Sequence, residues 1–246
     1  MSMSARSGRI LLLDALRAAA LAGMVLFHFV YDLQFFGHLP PGTVHQPGWD
    51  ALAHLVAGGF IFLAGASLYL AHRARIRWPE ALKRVGKIGL AALLITLVTY
   101  AMMPQFFVYF GILHAIATFS LLGLAFLRLP LILVVLTALG VFLLPRFVEG
   151  EAFTHPALWW LGLSPDPAPA LDFEPLFPWF AIFLAGLATL RLATRLGWLD
   201  HATRYDPEAM TGPRRWLLWA GRNTLPLYLL HQPLLFAVIW SYGVLL

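Results

Sequence analysis

The chain of 246 residues contains no cysteine. That absence excludes disulfides, thiolate metal centres and a cysteine nucleophile, and it leaves the redox compartment open. Charge is scarce as well: Asp, Glu, Lys and Arg make up 12% of the chain, about half of what a soluble domain carries. No His-x3-His pair occurs, and no metal site is expected. There is no internal repeat, no low-complexity tract and no small-residue cleavage site after the first apolar block. That block therefore reads as a retained anchor and not as a secretory signal.

What is present is apolar. Hydrophobic residues make up 60% of the chain and mean hydropathy is +0.76. They come in blocks long enough to cross a bilayer core, which takes about 20 residues of helix. Spans are predicted at Ile10–Tyr31, Ala51–Ala71, Gly86–Met103, Phe106–Leu127, Pro130–Leu144, Leu176–Leu192 and Leu225–Tyr242, the fifth being the shortest. The expected fold is an all-α polytopic transmembrane helix bundle of about seven spans, forming one domain over residues 1–246.

The net charge of +5 is distributed by topology and not as a nucleic-acid patch. Arg6 and Arg9 precede the first span, and Asp32–Asp50 after it has no Lys or Arg. Arg73, Arg75, Arg77, Lys83, Arg84 and Lys87 follow the second span, Arg128 the fourth, and Arg191, Arg195, Arg204, Arg214 and Arg215 the sixth. Only Arg146 falls on the opposite side. The positive-inside rule then places the N-terminus in the cytoplasm and the C-terminus and Asp32–Asp50 outside. Contact with anionic lipid accounts for many of these charges taken singly. The proline-rich Glu149–Glu174 carries Trp159 and Trp160 and is expected at the outer interface, a re-entrant hairpin being one form it could take. In Gly221–Pro226, Gly221 is expected to end one helix, with Asn223 or Thr224 capping the next.

The first span holds the polar residues that carry chemistry. At about 100° per residue, Asp14, Arg17, His28 and Asp32 fall within roughly 60° of one another. Arg17 and His28 lie about 16 Å apart along the axis, near the cytoplasmic end and toward the outer leaflet respectively. Charges this deep in a membrane helix normally face a protein interior or a water-filled cavity. Asp14 and Arg17 are spaced to neutralise each other. His28 and Asp32 are spaced to form an imidazole–carboxylate dyad, suited to a general base or an acyl-accepting nucleophile. The alternative is that these groups only hydrogen-bond the bundle together. His54, His114 with Thr118, and His231 in His231-Gln232-Pro233 each read first as packing residues, with Pro233 freeing the carbonyl of Leu229. The small residues Gly58-Gly59 and Gly65-Ala66 allow close helix contact.

Arg17, ten residues and His28 resemble the arginine–x10–histidine signature of the transmembrane acyltransferase superfamily. More closely, the chain resembles the bacterial relatives of the heparan-α-glucosaminide N-acetyltransferase catalytic domain. The stretches that carry the resemblance are Leu13–Arg17, Phe27–Leu33, Phe110–His114, Pro175–Phe180, and Gly221–Asn223 through Tyr228–Pro233. They keep their order over nearly the whole chain. The resemblance implies an acyl-CoA-dependent N- or O-acetyltransferase of the bacterial cytoplasmic (inner) membrane. Acyl-CoA, most simply acetyl-CoA, would bind from the cytoplasm, and an acceptor such as a sugar or glycan would be modified outside. His28 matches the superfamily's catalytic histidine and Arg17 its arginine, although Ala18 stands where the family usually has glycine. Eukaryotic relatives use a histidine in the first outer loop, for which His45 is the counterpart, one position out of register with Trp49. Catalytic candidates are thus His28, Asp32 and His45. Arg17, Arg214, Arg215 and Arg222 are candidates for the CoA phosphates, together with Asn223 at the positive N-terminal end of the last helix. Asp14, His114 and His231 are substrate-binding or structural polar groups. Membrane lipids are expected partners, nucleic acid is not, and a homodimer is allowed. The competing class is a carrier or flippase using the same stripe as a pathway.

Overall fold

The structure, a computed structural model, describes residues 9–202, 204–205 and 211–245. Arg6 and Leu246, which enter the charge and topology expectations, lie outside them. The described helices are α1 (Leu11–Phe35), α2 (Pro47–His72), α3 (Trp78–Met102), α4 (Ile112–Phe126), α5 (Leu131–Leu143), α6 (Pro145–Val148), α7 (Leu176–Arg195), α8 (Gly212–Arg222) and α9 (Thr224–Leu245). A two-residue antiparallel ladder joins Arg9–Ile10 to Arg204–Tyr205. The protein is all-helical in architecture.

Among the described residues, five helices are long and apolar enough to cross a membrane: α1, α2, α3, α7 and α9 over Thr224–Ser241. The fourth and fifth expected spans are shorter, α4 with 15 residues and α5 with 13. At 1.5 Å per residue α5 covers about 20 Å of a core about 30 Å thick. The fourth expected span began at Phe106 because Phe106–Phe110 is apolar, yet that stretch is extended. Its carbonyls at Phe106 and Phe110 accept from the Leu171 and Glu174 amides at 2.9 and 3.0 Å. Phe110 and Phe173 form a parallel bridge. Backbone pairing there replaces the helical hydrogen bonds that an apolar run would otherwise require.

By contacts the chain forms two compact units, one of residues 1–60 and 198–246, the other of residues 61–197, with the boundary inside α2. In the first unit α1 packs on α8 and α9. Gly221 is the penultimate residue of α8, so the helix ends within one residue of the expected place, and a Cβ there would come within 1.9 Å of the Asp14 carbonyl oxygen. The glycine is what lets the two backbones touch. Helix α8, whose end was expected near Gly221 but whose extent was not, buries Leu218 and Gly221 and exposes Arg214, Arg215, Trp216 and Trp219, an amphipathic pattern too short for a span. Residue pairs His28–His231, Asp32–Gln232 and Phe36–Phe236 advance together, so α1 and α9 run in the same direction.

In the second unit α5 packs on α7, and α4 on α3 and α7. Gly65 and Gly186 make a reciprocal contact between α2 and α7. A Cβ on Gly65 would meet the Phe183 carbonyl oxygen at 2.0 Å, and one on Gly186 the Phe62 carbonyl oxygen at 2.0 Å. The expected role of Gly65 in close packing holds. The α2–α3 and α4–α5 turns are joined by Arg128, which donates to the Ala74 carbonyl at 3.1 Å, and Arg191 donates to the Leu129 carbonyl. Among the segments between the other helix ends, Tyr109 Oη donates to Ala168 at 3.0 Å and its ring meets Trp159, while Phe110 meets Trp160. Glu149–Glu174 forms two 3-10 turns, Glu151–Phe153 and Pro156–Leu161, and then extended chain; it makes no helical hairpin.

Candidate functional site

The polar stripe of α1 is assembled as its periodicity demands. Asp14 and Asp32 are each 1% exposed. Arg17 Nη1 donates to Asp14 Oδ1 at 2.6 Å, the expected neutralising pair. The expected dyad of His28 with Asp32 is not made. Each turns instead to α9, because that helix presents His231 and Gln232 at matching heights. His28 Nδ1 meets His231 Nε2 at 2.6 Å, with the rings stacked at 4.8 Å. Gln232 Nε2 donates to Asp32 Oδ1 at 2.7 Å.

The protons in this pair can be placed by elimination. The Tyr228 carbonyl can only accept, so His231 Nδ1, 2.5 Å away, carries a hydrogen. In the neutral ring His231 Nε2 is then a bare acceptor, and the hydrogen between the rings belongs to His28 Nδ1. That leaves the lone pair of His28 on Nε2, which makes no hydrogen bond among the described residues. A fixed tautomer with an open Nε2 is the arrangement a general base needs.

The remaining candidates divide by position. Arg222 Nε is buried with no hydrogen-bond partner among the described residues, two residues before Thr224, the first residue of α9. A guanidinium with an unmet N–H beside a helix N-terminus fits an anion such as a CoA phosphate. Asn223 caps α8, its Nδ2 donating to the Trp219 carbonyl at 2.9 Å. Arg214 and Arg215 are exposed at the start of α8. His45 is exposed on the 3-10 turn Thr43–His45, which the Val44 amide ties to Gln34 Oε1 at 3.1 Å. His54 is exposed beside Asp50. His114, in the second unit, uses both nitrogens: Gly111 N–H donates to Nδ1 at 3.2 Å and Nε2 lies 3.1 Å from Thr96 Oγ1. The Thr96 hydroxyl hydrogen goes to the Val108 carbonyl, so Nε2 is the donor to Thr96, and Thr118 is not its partner. His114 holds the start of α4 in place.

Gln232 was not among the candidates. An amide before a proline has no signal of its own, and its meaning comes from Asp32, 200 residues away.

The profile of the heparan-α-glucosaminide N-acetyltransferase catalytic domain matches residues 9–233. The chain belongs to that family. The match runs from the start of α1 past His231 and Gln232, so both halves of the paired site lie inside the heparan-α-glucosaminide N-acetyltransferase domain. No curated protein and no solved structure matches the chain. Membership and the five apolar helices together make this an integral membrane protein of a transmembrane acetyltransferase family.

Proposed function

We propose that the chain is a single integral membrane domain that moves an acyl group, acetyl in the simplest case, from cytoplasmic acyl-CoA to an acceptor at the outer face of a bacterial inner membrane. The observation that carries this reading is the His28–His231 pair, which fixes the tautomer of His28 and leaves Nε2 open as a base. His28 Nε2 takes the proton from the acceptor amine or hydroxyl as that atom attacks the thioester carbonyl. The carbon–sulfur bond breaks, and the imidazolium returns the proton to the departing thiolate. His231 holds the imidazole, and Arg222 with the N-terminus of α9 holds phosphate at the cytoplasmic end. Arg17 and Asp14 keep the helix neutral between them. The family name points to an amino sugar as acceptor, with transfer to nitrogen.

The topology of this reading has seven crossings, α4 and α5 included, with the N-terminus inside and the C-terminus outside. The common direction of α1 and α9 supports an odd number of crossings. The pairing of expected cytoplasmic turns through Arg128 and Arg191, and of expected outer segments through Tyr109 and Leu171, supports the alternation.

The test is turnover of purified protein in liposomes with acetyl-CoA and amino-sugar acceptors. His28→Ala is expected to lose roughly 10²–10⁴-fold in kcat with acetyl-CoA binding retained. Normal turnover by His28→Ala together with an inactive His45→Ala would move the chemistry to the outer loop. Solute movement by the wild type, unaffected by either change, would make the protein a carrier.

A further inference from the structure

The face of α1 beside the polar stripe has no role in acyl transfer as described. Roughly a quarter turn round the helix from Arg17 and His28, α1, α8 and α9 border an open groove of about 620 Å³ lined by Ala18, Leu21, Val25 and Phe29, by Ala220, and by Leu235 among others. Every lining residue is apolar. From Ala18 to Phe29 the groove follows α1 for about 16 Å, close to half of a hydrocarbon core about 30 Å thick. It has the depth of one leaflet. The amides of a pantetheine arm would find no partner on this lining, and unmet amides in an apolar medium are costly. The arm therefore belongs on the polar stripe, and the groove suits a hydrocarbon chain.

A second observation lies at the groove's end. Phe29 stands three residues before Asp32, and Leu235 three after Gln232, so the Asp32–Gln232 bridge flanks the groove between the helices that wall it. Asp32 Oδ2 and Gln232 Oε1 are nevertheless both buried without a hydrogen-bond partner. Asp32 is 1% exposed, so bulk water does not serve it. Both orphan atoms are acceptors. What satisfies them must donate, as an amine or a hydroxyl does.

We propose that the acceptor is lipid-linked. Its hydrocarbon chain lies in the α1–α8–α9 groove, running inward from the level of His28, and its donor-bearing head group meets Asp32 Oδ2 and Gln232 Oε1 beside His28. This rests on His28 as the transfer base. A water-soluble sugar would meet the two acceptors and leave the groove to bulk lipid.

The test uses the full chain in nanodiscs with amino-sugar glycosides carrying methyl, octyl or dodecyl chains, and a dodecyl analogue with a diazirine on its tail. The dodecyl acceptor is expected to be preferred. Val25→Trp, which fills the groove, should lower the dodecyl-to-methyl turnover ratio roughly ten-fold, the effect of about 1.4 kcal/mol of steric exclusion. The diazirine should label α1 between Ala18 and Phe29, Val25→Trp should remove that label, and permethylating the head group should weaken it. Equal turnover of all chain lengths, a ratio unmoved by Val25→Trp, or labelling elsewhere overturns the proposal. Labelling is read without catalysis, so the two readings fail separately: His28→Ala should keep the label and lose turnover. Labelled groove peptides with an active His28→Ala would overturn the base assignment alone.

Discussion

In the proposed mechanism His231 acts on the reaction without meeting the reacting atoms. Its Nδ1 is held by the Tyr228 carbonyl, and its Nε2 dictates where the hydrogen of His28 resides. His231→Gln keeps a polar side chain but loses the ring stacking and the enforced tautomer. We expect kcat to fall roughly ten-fold or more, less than for His28 itself, with KM for both substrates nearly unchanged. Initial-rate kinetics check this, and a change confined to KM would make His231 a binding group. The stripe on α1 was legible from one helix because a 3.6-residue period needs no partner to be read. Its pairing was not. His28 and Asp32 have the spacing of a dyad, and only the arrival of α9 at the same height offers each of them a different neighbour. Gly221 shows the same limit: as a residue near a helix end it resembles a terminator, and the contact with the Asp14 backbone that requires it is visible only in three dimensions.

Among the elements, the α3–α4 connection and the segment before α7 depend on two carboxyls. Asp172 Oδ2 accepts from the Ile112 amide at 2.8 Å and so caps α4. Burial pushes its carboxyl up to about 6, against the pull of that amide. Glu174, also buried and beside Asp172, is pushed up from 4.5 to about 9, so it holds its proton at neutral pH. A raised folded value means that the proton stabilises the folded segment. The stabilisation is complete below 4.5 and is lost as pH rises through about 9. The unfolding temperature in detergent is expected to fall steadily as pH rises over that window, and Glu174→Gln to flatten most of the slope. A slope unchanged by Glu174→Gln would assign it to another group. Hydropathy alone could not place this segment. Phe106–Phe110 is as apolar as a span, and its non-helical form follows from the hydrogen bonds its Phe106 and Phe110 carbonyls accept from the distant Leu171 and Glu174 amides. Helix α8 is the converse case: its end near Gly221 was legible, but its arginines and tryptophans hide the extent of a short amphipathic helix from any search for spans.

At the scale of the whole molecule, reporter fusions after Gly42 and Arg75 are expected to read outer and cytoplasmic respectively. The reverse result would invert the orientation and with it the route of transfer. The class of the fold and the long spans were readable because a bilayer imposes its thickness on sequence, whereas the short α4 and α5 are not bound to show that length. The common direction of α1 and α9 also has a consequence for biogenesis. His28 and His231 are 203 residues apart, so at about 5–20 residues per second a ribosome needs on the order of ten to forty seconds to supply the second histidine after the first. During that interval α1 is already in the translocon or the bilayer. Asp14 and Arg17 can neutralise each other at once, being one turn apart, but His28 and Asp32 must wait in lipid or against the insertion machinery for α9. The last helix is therefore the step that commits the nascent protein, and a ribosome stalled before it would leave an inserted chain with an exposed carboxylate for quality control to find.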